Sequence, residues 1–139
     1  MLKYGKTTQT AISAISVLAE CFDGGKTKLS SHQIAGKRNL PQPLVAKLLV
    51  TLSRSGLVQG TRGPGGGYWL AKDPGETFLV EIVELFEMDQ ERIYCPFGPG
   101  YCPNEKPCPV HDQLWAIDQQ FEQFLSGTKL SVFLKRESE

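Results

Sequence analysis

The chain has 139 residues, about the size of one domain, and its hydrophobic content of 40% is enough for a single packed core. No stretch approaches the roughly 18 apolar residues that a membrane-spanning helix needs, and the N-terminus lacks the apolar core of a signal peptide. We therefore expect a cytoplasmic protein with no membrane partner. In a reducing cytoplasm, its four cysteines fit metal ligands or core positions better than a disulfide framework.

The two halves of the chain differ in charge although the formal net charge is zero. Residues 1–72 carry ten Lys and Arg against two acids, a balance of +8, whereas residues 73–139 carry five against thirteen, a balance of −8. A basic half favours a surface that binds nucleic acid. The alternative is that the charges only solvate two surfaces.

Three helices are predicted in the N-terminal half. Apolar residues recur at helical spacing over residues 8–22, and two glycines then end the first helix. Ser30 and Gln33 have the spacing of a capping box, which opens a short second helix. A third helix begins near Pro41, where proline fits the first turn, and ends at Gly56. The second and third helices, joined by a tight turn, form a helix-turn-helix.

A short β-hairpin is predicted next. Two strand-like segments, residues 57–62 and 68–71, flank a turn of sequence Gly-Pro-Gly-Gly-Gly. We interpret this hairpin as the wing of a winged helix. The glycine run does not fit the nucleotide-binding pattern G-x-G-x-x-G, because Tyr68 stands at the third glycine position.

Two further helices are predicted in the C-terminal half. A helix over residues 78–86 should pack on the first helix, with Glu81, Glu84 and Glu87 facing water. A Pro-, Gly- and Cys-rich loop over residues 89–109 separates it from a long helix. That helix has apolar residues at alternating intervals of four and three: Val110, Leu114, Ile117, Phe121 and Phe124. Such a pattern is typical of helices that pack along another helix and favours a homodimer, the alternative being an ordinary core helix in a monomer.

Together these elements predict a mainly α-helical protein with a small β-hairpin, a winged helix-turn-helix followed by a long C-terminal dimerisation helix. We divide the chain into a DNA-binding domain over residues 1–88, a cysteine loop over residues 89–109, and a dimerisation helix with a C-terminal segment over residues 110–139. No Ser-His-Asp grouping or paired carboxylates indicate an enzyme.

The third helix carries the candidate base contacts. In a helix-turn-helix, the N-terminal side chains of the second helix reach base edges in the major groove. Those positions are occupied here by Gln42, Pro43, Ala46 and Lys47. Gln42 fits a bidentate pair with adenine, Lys47 fits guanine or phosphate, and Ala46 offers only apolar contact to a thymine methyl. Recognition of the DNA base sequence should depend mainly on Gln42.

Further contacts to double-stranded DNA are predicted on the wing and near the N-terminus. Arg62 precedes a turn small enough to approach DNA without a clash, so its guanidinium fits a narrow minor groove. We include the neighbouring Gly65, Gly66 and Tyr68 in this surface. Phosphate contacts are assigned to Lys3, Lys6, Thr7 and Arg54.

The cysteine loop holds the candidate metal ligands. Cys95, Cys102 and Cys108 are separated by six and five residues, and His111 follows the third cysteine by three. Thiolates suit an iron-sulfur cluster or zinc, and a histidine can complete the ligand set. Zinc sites usually pair ligands as C-x₂₋₄-C, which these gaps match poorly, but zinc and a metal-free thiol switch stay open as alternatives. Cys21 is interpreted as a small buried apolar residue in the first helix.

The wing segment GLVQGTRGPGGGYWLAKD resembles the signature of the Rrf-two-type family of winged-helix regulators. The resemblance runs from about Leu2 to Phe133 and points to the iron-sulfur branch of the family, with its IscR-like and NsrR-like members. It implies a dimeric transcription regulator that binds a DNA operator. In such a dimer the long C-terminal helices form the contact, and the minor-groove arginine falls on Arg62.

The resemblance also implies a cofactor. Cluster-binding members carry three cysteines in this loop, and in the IscR-like branch a histidine three residues after the third cysteine completes a [2Fe–2S] cluster. That histidine corresponds to His111, so a two-iron cluster is preferred. The gap between Cys95 and Cys102 is one residue longer than in that branch, which leaves a [4Fe–4S] cluster open. Ala46 replaces a glutamate that tunes operator choice, so the operator does not transfer.

We therefore expect a regulator that senses iron-sulfur, redox or nitric-oxide status through its cysteine loop. The alternative from another class is a metal- or cluster-binding interaction module without a DNA role. The two differ in what they require of the basic half, since only a DNA-binding protein should lose affinity steeply with salt.

Overall fold

The computed structural model describes residues 5–87 and 109–134. Short 3₁₀ turns lie at Pro74–Glu76 and Leu130–Phe133. The other described elements are α1 (Lys6–Glu20), α2 (Ser31–Arg38), α3 (Gln42–Arg54), β1 (Val58–Thr61), β2 (Gly67–Leu70), α4 (Leu79–Glu87) and α5 (His111–Gly127). This arrangement confirms the predicted fold class, mainly α-helical with a small antiparallel hairpin. The division of the chain into three segments stays a prediction.

Helix α1 lies at the centre of the core and contacts α2, α3, α4 and β2. Its alanines Ala11, Ala14 and Ala19 are fully buried, and their small side chains let neighbouring elements pack closely. The helix begins and ends two residues earlier than the sequence predicted. Cys21 therefore lies at the C-cap and is only half-buried, so its interpretation as a buried residue inside the helix is wrong.

The helix-turn-helix forms from local signals that the sequence contains. Ser30 Oγ accepts a hydrogen bond from Gln33 N at 3.1 Å, and Gln33 Oε1 accepts one from Ser30 N at 2.9 Å, which confirms the capping box. Asn39 ends α2 with a left-handed φ of 55°. Helix α3 then buries one apolar face against the core: Val45, Leu48, Leu49 and Leu52.

The hairpin is joined to the helix-turn-helix by a third extended segment. Tyr68 N donates to Leu29 O at 2.7 Å, and Leu29 N donates to Tyr68 O at 3.1 Å. Gly67 allows this contact, because a Cβ at that position would lie 2.9 Å from the Leu29 backbone and its φ of 150° favours glycine. Part of the glycine run is therefore required by the fold.

Helix α4 packs on α1 as predicted, but its acids differ in exposure. Glu84 is exposed and Glu81 is half-buried, whereas Glu87 is only 8% exposed. The prediction that Glu87 faces water is wrong. Its Oε1 accepts hydrogen bonds from Gly5 N at 2.7 Å and from Thr8 Oγ1 at 2.6 Å, because the first turn of α1 supplies donors beside it.

Helix α5 confirms the predicted long C-terminal helix, and part of its apolar stripe is open. Ile117 and Phe124 are 51% and 53% exposed, and Trp115 on the same helix is 59% exposed. Leu125, outside the stripe, is the apolar residue of α5 in the core. The remaining stripe residues are half-buried: Val110, Leu114 and Phe121. None of the helices in residues 5–87 and 109–134 is long and apolar enough to cross a membrane.

Candidate nucleic-acid interface

The N-terminal part of α3 carries the four predicted base contacts. Pro43 and Lys47 are exposed, while Gln42 and Ala46 are half-buried. Residues at positions i, i+1, i+4 and i+5 lie on one side of an α-helix, here opposite the side that packs into the core. The structure therefore presents these four residues together on the outer face of α3.

The same outer face continues to the end of α3. At 100° per residue, Val50, Ser53 and Arg54 fall on the side that carries Gln42 and Ala46. Val50 is 43% exposed, and both Ser53 and Arg54 are exposed. The outer face of α3 is thus one surface that runs the length of the helix and ends in a cation.

The end of α3 and the hairpin form a cleft of about 230 Å³. Two arginines, Arg54 and Arg62, line this cleft together with three residues that carry hydroxyl groups, Ser53, Thr61 and Tyr68. Charged and neutral donors around one opening fit a phosphate, which accepts several hydrogen bonds. The structure brings Arg54, predicted separately as a phosphate contact, to the wing residues Arg62 and Tyr68.

The positive charge of this cleft is not neutralised from within the described part of the chain. No described acid forms an ion pair with Arg54 or Arg62. A salt bridge of 2.6 Å joins Arg38 and Glu20, which do not line the cleft. Arg62 is exposed, and so is Thr61 before it. Both guanidinium groups of the cleft can therefore bind an external anion.

Gly66, in the turn of the wing, leaves no room for a side chain. A Cβ on Gly66 would lie 2.4 Å from Thr61 O, and Gly66 N donates to Gly63 O at 2.9 Å. Gly65 is exposed and has a left-handed φ of 77°. A tight turn in which every residue but Pro64 is glycine is suited to close approach to another backbone.

The predicted contacts near the N-terminus lie on a different element. Lys6 and Thr7 are exposed in the first turn of α1 and do not line the cleft. Lys3 lies outside the described residues. Thr8, which follows Thr7, is buried and donates a hydrogen bond to Glu87.

The predicted metal ligands fall mostly outside the described ranges. Cys95, Cys102 and Cys108 lie in the segment that the structure does not describe, and His111 is the exposed first residue of α5. Among the described residues, no group of three or more His, Cys, Asp or Glu could hold a metal ion. Cys21 is distant from the cysteine loop in sequence, and its Sγ lies 3.5 Å from Lys37 Nζ.

Three residues near this surface were missed in the sequence analysis. Ser53 could have been found from helical periodicity, since it shares the outer face of α3. Thr61 had no such signal, because only the folded hairpin brings it beside α3. Ser31 was also missed, although its Oγ accepts a hydrogen bond from Gln42 Nε2 at 3.0 Å.

A helix-turn-helix followed by a hairpin, with a cationic cleft between recognition helix and wing, defines a winged-helix DNA-binding protein. The family follows from comparison with known proteins. The chain belongs to the Rrf2 family, described as iron-dependent transcriptional regulators, whose family model matches residues 4–136. This result confirms the resemblance found in the wing segment.

Individual relatives agree with that assignment. The regulator IscR of Cereibacter sphaeroides is 30% identical over 139 residues, covering 98% of this chain and 89% of its own. A putative HTH-type transcriptional regulator of Aquifex aeolicus is 29% identical over 136 residues, covering 96% and 92%. These relatives are transcription regulators and not enzymes, as the sequence predicted.

Solved structures show the same fold. CymR, the global cysteine regulator of B. subtilis, superposes with a TM-score of 0.74 at 24% identity and covers 97% of this chain and 100% of its own. IscR of T. potens gives a TM-score of 0.68 at 24% identity, with coverage of 94% and 84%. Two strands and a mainly helical frame are thus shared with winged-helix regulators.

Proposed function

We propose that this protein is a dimeric Rrf2-type regulator that senses iron-sulfur, redox or nitric-oxide status through a cluster in its cysteine loop. DNA binding and transcription regulation are properties of the family to which the chain belongs. The observation that carries the proposal for the DNA surface is the cleft that joins Arg54 and Arg62. The proposal for sensing is carried by the ligand set around residues 95–111.

DNA would be bound along the outer face of α3 and across the cleft. The N-terminal half of α3 enters the major groove, where Gln42 reads a base and Lys47 contacts guanine or phosphate. Arg54 then contacts the phosphate backbone between the major and minor grooves, together with the Ser53 and Thr61 hydroxyl groups. Arg62 enters the adjacent minor groove.

The residues available for a cluster are Cys95, Cys102, Cys108 and His111. His111 fits this role because it is exposed at the start of α5 and no described residue hydrogen-bonds to its ring. When bound, the cluster would supply a group whose presence and oxidation state depend on iron, oxidants and nitric oxide. A histidine ligand favours [2Fe–2S], and the longer gap after Cys95 is compatible with [4Fe–4S]. The iron-dependent description of the family and the similarity to IscR support this choice.

The signal would pass to the DNA surface through Glu87. This residue ends α4 directly before the cysteine segment, and its carboxylate holds Gly5 and Thr8 at the start of α1. A change in the cysteine segment that moves Glu87 would therefore release the first turn of α1, which carries Lys6 and Thr7. A coupling free energy of about 1.4 kcal/mol is enough for a tenfold change in DNA affinity.

A homodimer would form through α5. Ile117 and Phe124 lie on one face of this helix and are each more than half exposed, and burying such residues on association is favourable. Two copies related by a twofold axis present two recognition helices to the half-sites of one operator.

The test uses the full chain purified without oxygen. Absorption and electron paramagnetic resonance spectra should show an iron-sulfur cluster, which Cys102→Ala should remove and Cys21→Ala should retain. Binding to a duplex library with a random 20-base-pair core should weaken steeply as salt rises. A colourless protein with stoichiometric zinc would overturn the sensing proposal, and salt-insensitive or absent duplex binding would overturn the DNA surface.

A further inference from the structure

The two helices of the helix-turn-helix are linked by one side-chain contact at their N-termini. Gln42 is the first residue of α3 and Ser31 is the first residue of α2. Gln42 Nε2 donates a hydrogen bond to Ser31 Oγ at 3.0 Å, and both side chains are half-buried. The residue expected to read a base is therefore held by the neighbouring helix.

This contact leaves Gln42 with the groups that adenine requires. A glutamine amide has two N–H donors and one oxygen acceptor, and adenine recognition uses one N–H toward N7 and the oxygen toward the N6 amino group. Ser31 accepts only one N–H. The second N–H and Oε1 stay available, so holding and reading are compatible.

Ser31 is not needed to cap α2. That role belongs to Ser30, which forms the reciprocal capping box with Gln33. Alanine at the position of Ser31 keeps high helix propensity, so removing this hydroxyl should leave α2 intact. The contact with Gln42 is the hydrogen bond that the structure gives the Ser31 side chain.

We propose that Ser31 is a positioning residue that orients the Gln42 amide for adenine before DNA binds. The bond restricts the rotamers of Gln42 and places its nitrogen on the α2 side, so less conformational freedom is lost on binding. Ser31 then determines specificity without contacting the base. This inference rests on the proposed DNA-binding mode.

The experiment selects duplexes from a library with a random 20-base-pair core, using the full chain and its variants. Gln42→Ala should abolish an adenine preference at one position of each half-site. Ser31→Ala should reduce the same preference about two- to tenfold, the range of one net hydrogen bond. Ser31→Thr keeps the hydroxyl and should retain the preference, and His32→Ala, an exposed neighbour, should leave it unchanged.

Two further measurements separate positioning from a structural role. In the Gln42→Ala background, Ser31→Ala should cause no additional change in base preference. The salt dependence of binding should be the same for Ser31→Ala and the unaltered protein, because no phosphate contact is removed.

Specific outcomes would overturn the inference. A Ser31→Ala protein that keeps the full adenine preference would do so, as would one that loses affinity evenly for all sequences. An adenine preference that survives Gln42→Ala at that position would also overturn the inference, while the proposed DNA binding would stand. Absence of duplex binding by the unaltered chain would instead overturn the proposed function.

Discussion

Glu87 Oε1 lies 2.6 Å from Thr8 Oγ1, so the last residue of α4 hydrogen-bonds to the first turn of α1 across 79 positions of sequence. The same oxygen accepts from Gly5 N, and no side chain from within α1 caps this end of the helix. A carboxylate at a helix N-terminus is favourable because it meets free N–H groups and the positive end of the helix dipole.

Replacing Glu87 by Ala should lower the free energy of unfolding by about 1–3 kcal/mol, because the buried Thr8 hydroxyl loses its acceptor. Urea denaturation measures this loss. Glu84→Ala on the exposed side of the same helix should change stability by less than about 0.5 kcal/mol. Equal losses in the two variants would contradict the role of this contact.

Gly67→Ala should disrupt the junction between the hairpin and Leu29, since the added Cβ would lie 2.9 Å from three Leu29 backbone atoms. We expect a loss of at least about 2 kcal/mol, combining steric contact with an unfavourable φ. Gly63→Ala is the matched control, because its φ is also positive but its Cβ would meet open space. If the two variants were equally stable in urea denaturation, close approach to Leu29 would not be the reason for glycine here.

Arg54→Ala and Arg62→Ala should each reduce the slope of log affinity against log salt concentration by about 1, since each variant loses one positively charged side chain that contacts DNA. Fluorescence anisotropy with a labelled duplex, measured between about 50 and 200 mM salt, gives this slope. Arg54→Ala should weaken binding evenly across sequences, whereas Arg62→Ala should also relax preference for a narrow minor groove. Lys72→Ala, exposed but outside the cleft, serves as the control, and an equal change there would contradict a specific role for the cleft.

Ile117→Asp and Phe124→Asp should shift the protein from dimer to monomer, because each places a charge on the apolar face of α5. Sedimentation velocity over a range of concentrations measures the assembly. Ser126→Asp changes an exposed polar residue on the opposite side of the same helix and should leave the dimer intact. A dimer that tolerates the replacement of both Ile117 and Phe124 would place the interface elsewhere.

His111→Ala should alter the electron paramagnetic resonance spectrum of the reduced protein and destabilise the cluster, if this imidazole is a ligand. His32→Ala controls for loss of a surface histidine, since His32 is exposed on α2. Unchanged spectra and cluster retention under argon would exclude His111 from the ligand set.

Much of the fold could be predicted because its signals are local. The capping box needs only Ser30 and Gln33 three positions apart, and the recognition helix needs only an apolar period and a proline in its first turn. The glycine-rich turn likewise predicted the wing. The family resemblance then followed from the wing segment alone.

The errors arose where exposure depends on distant elements. Glu87 follows the pattern of a solvent-facing acid, but its partners lie 79 and 82 positions away. Cys21 falls inside the first helix as the sequence predicted it, but α1 ends one residue before it. In both cases the local sequence pattern did not predict how much of the side chain is buried in the folded protein.

By itself, the sequence determined the helix-turn-helix, the hairpin and the family, because these depend on spacing along the chain. Only the tertiary structure decided which of these residues meet: Arg54 with Arg62 across the cleft, and Ser31 with Gln42 across the turn. Such contacts depend on how packed helices approach in space, and burial of the apolar faces of α1 and α3 sets that approach.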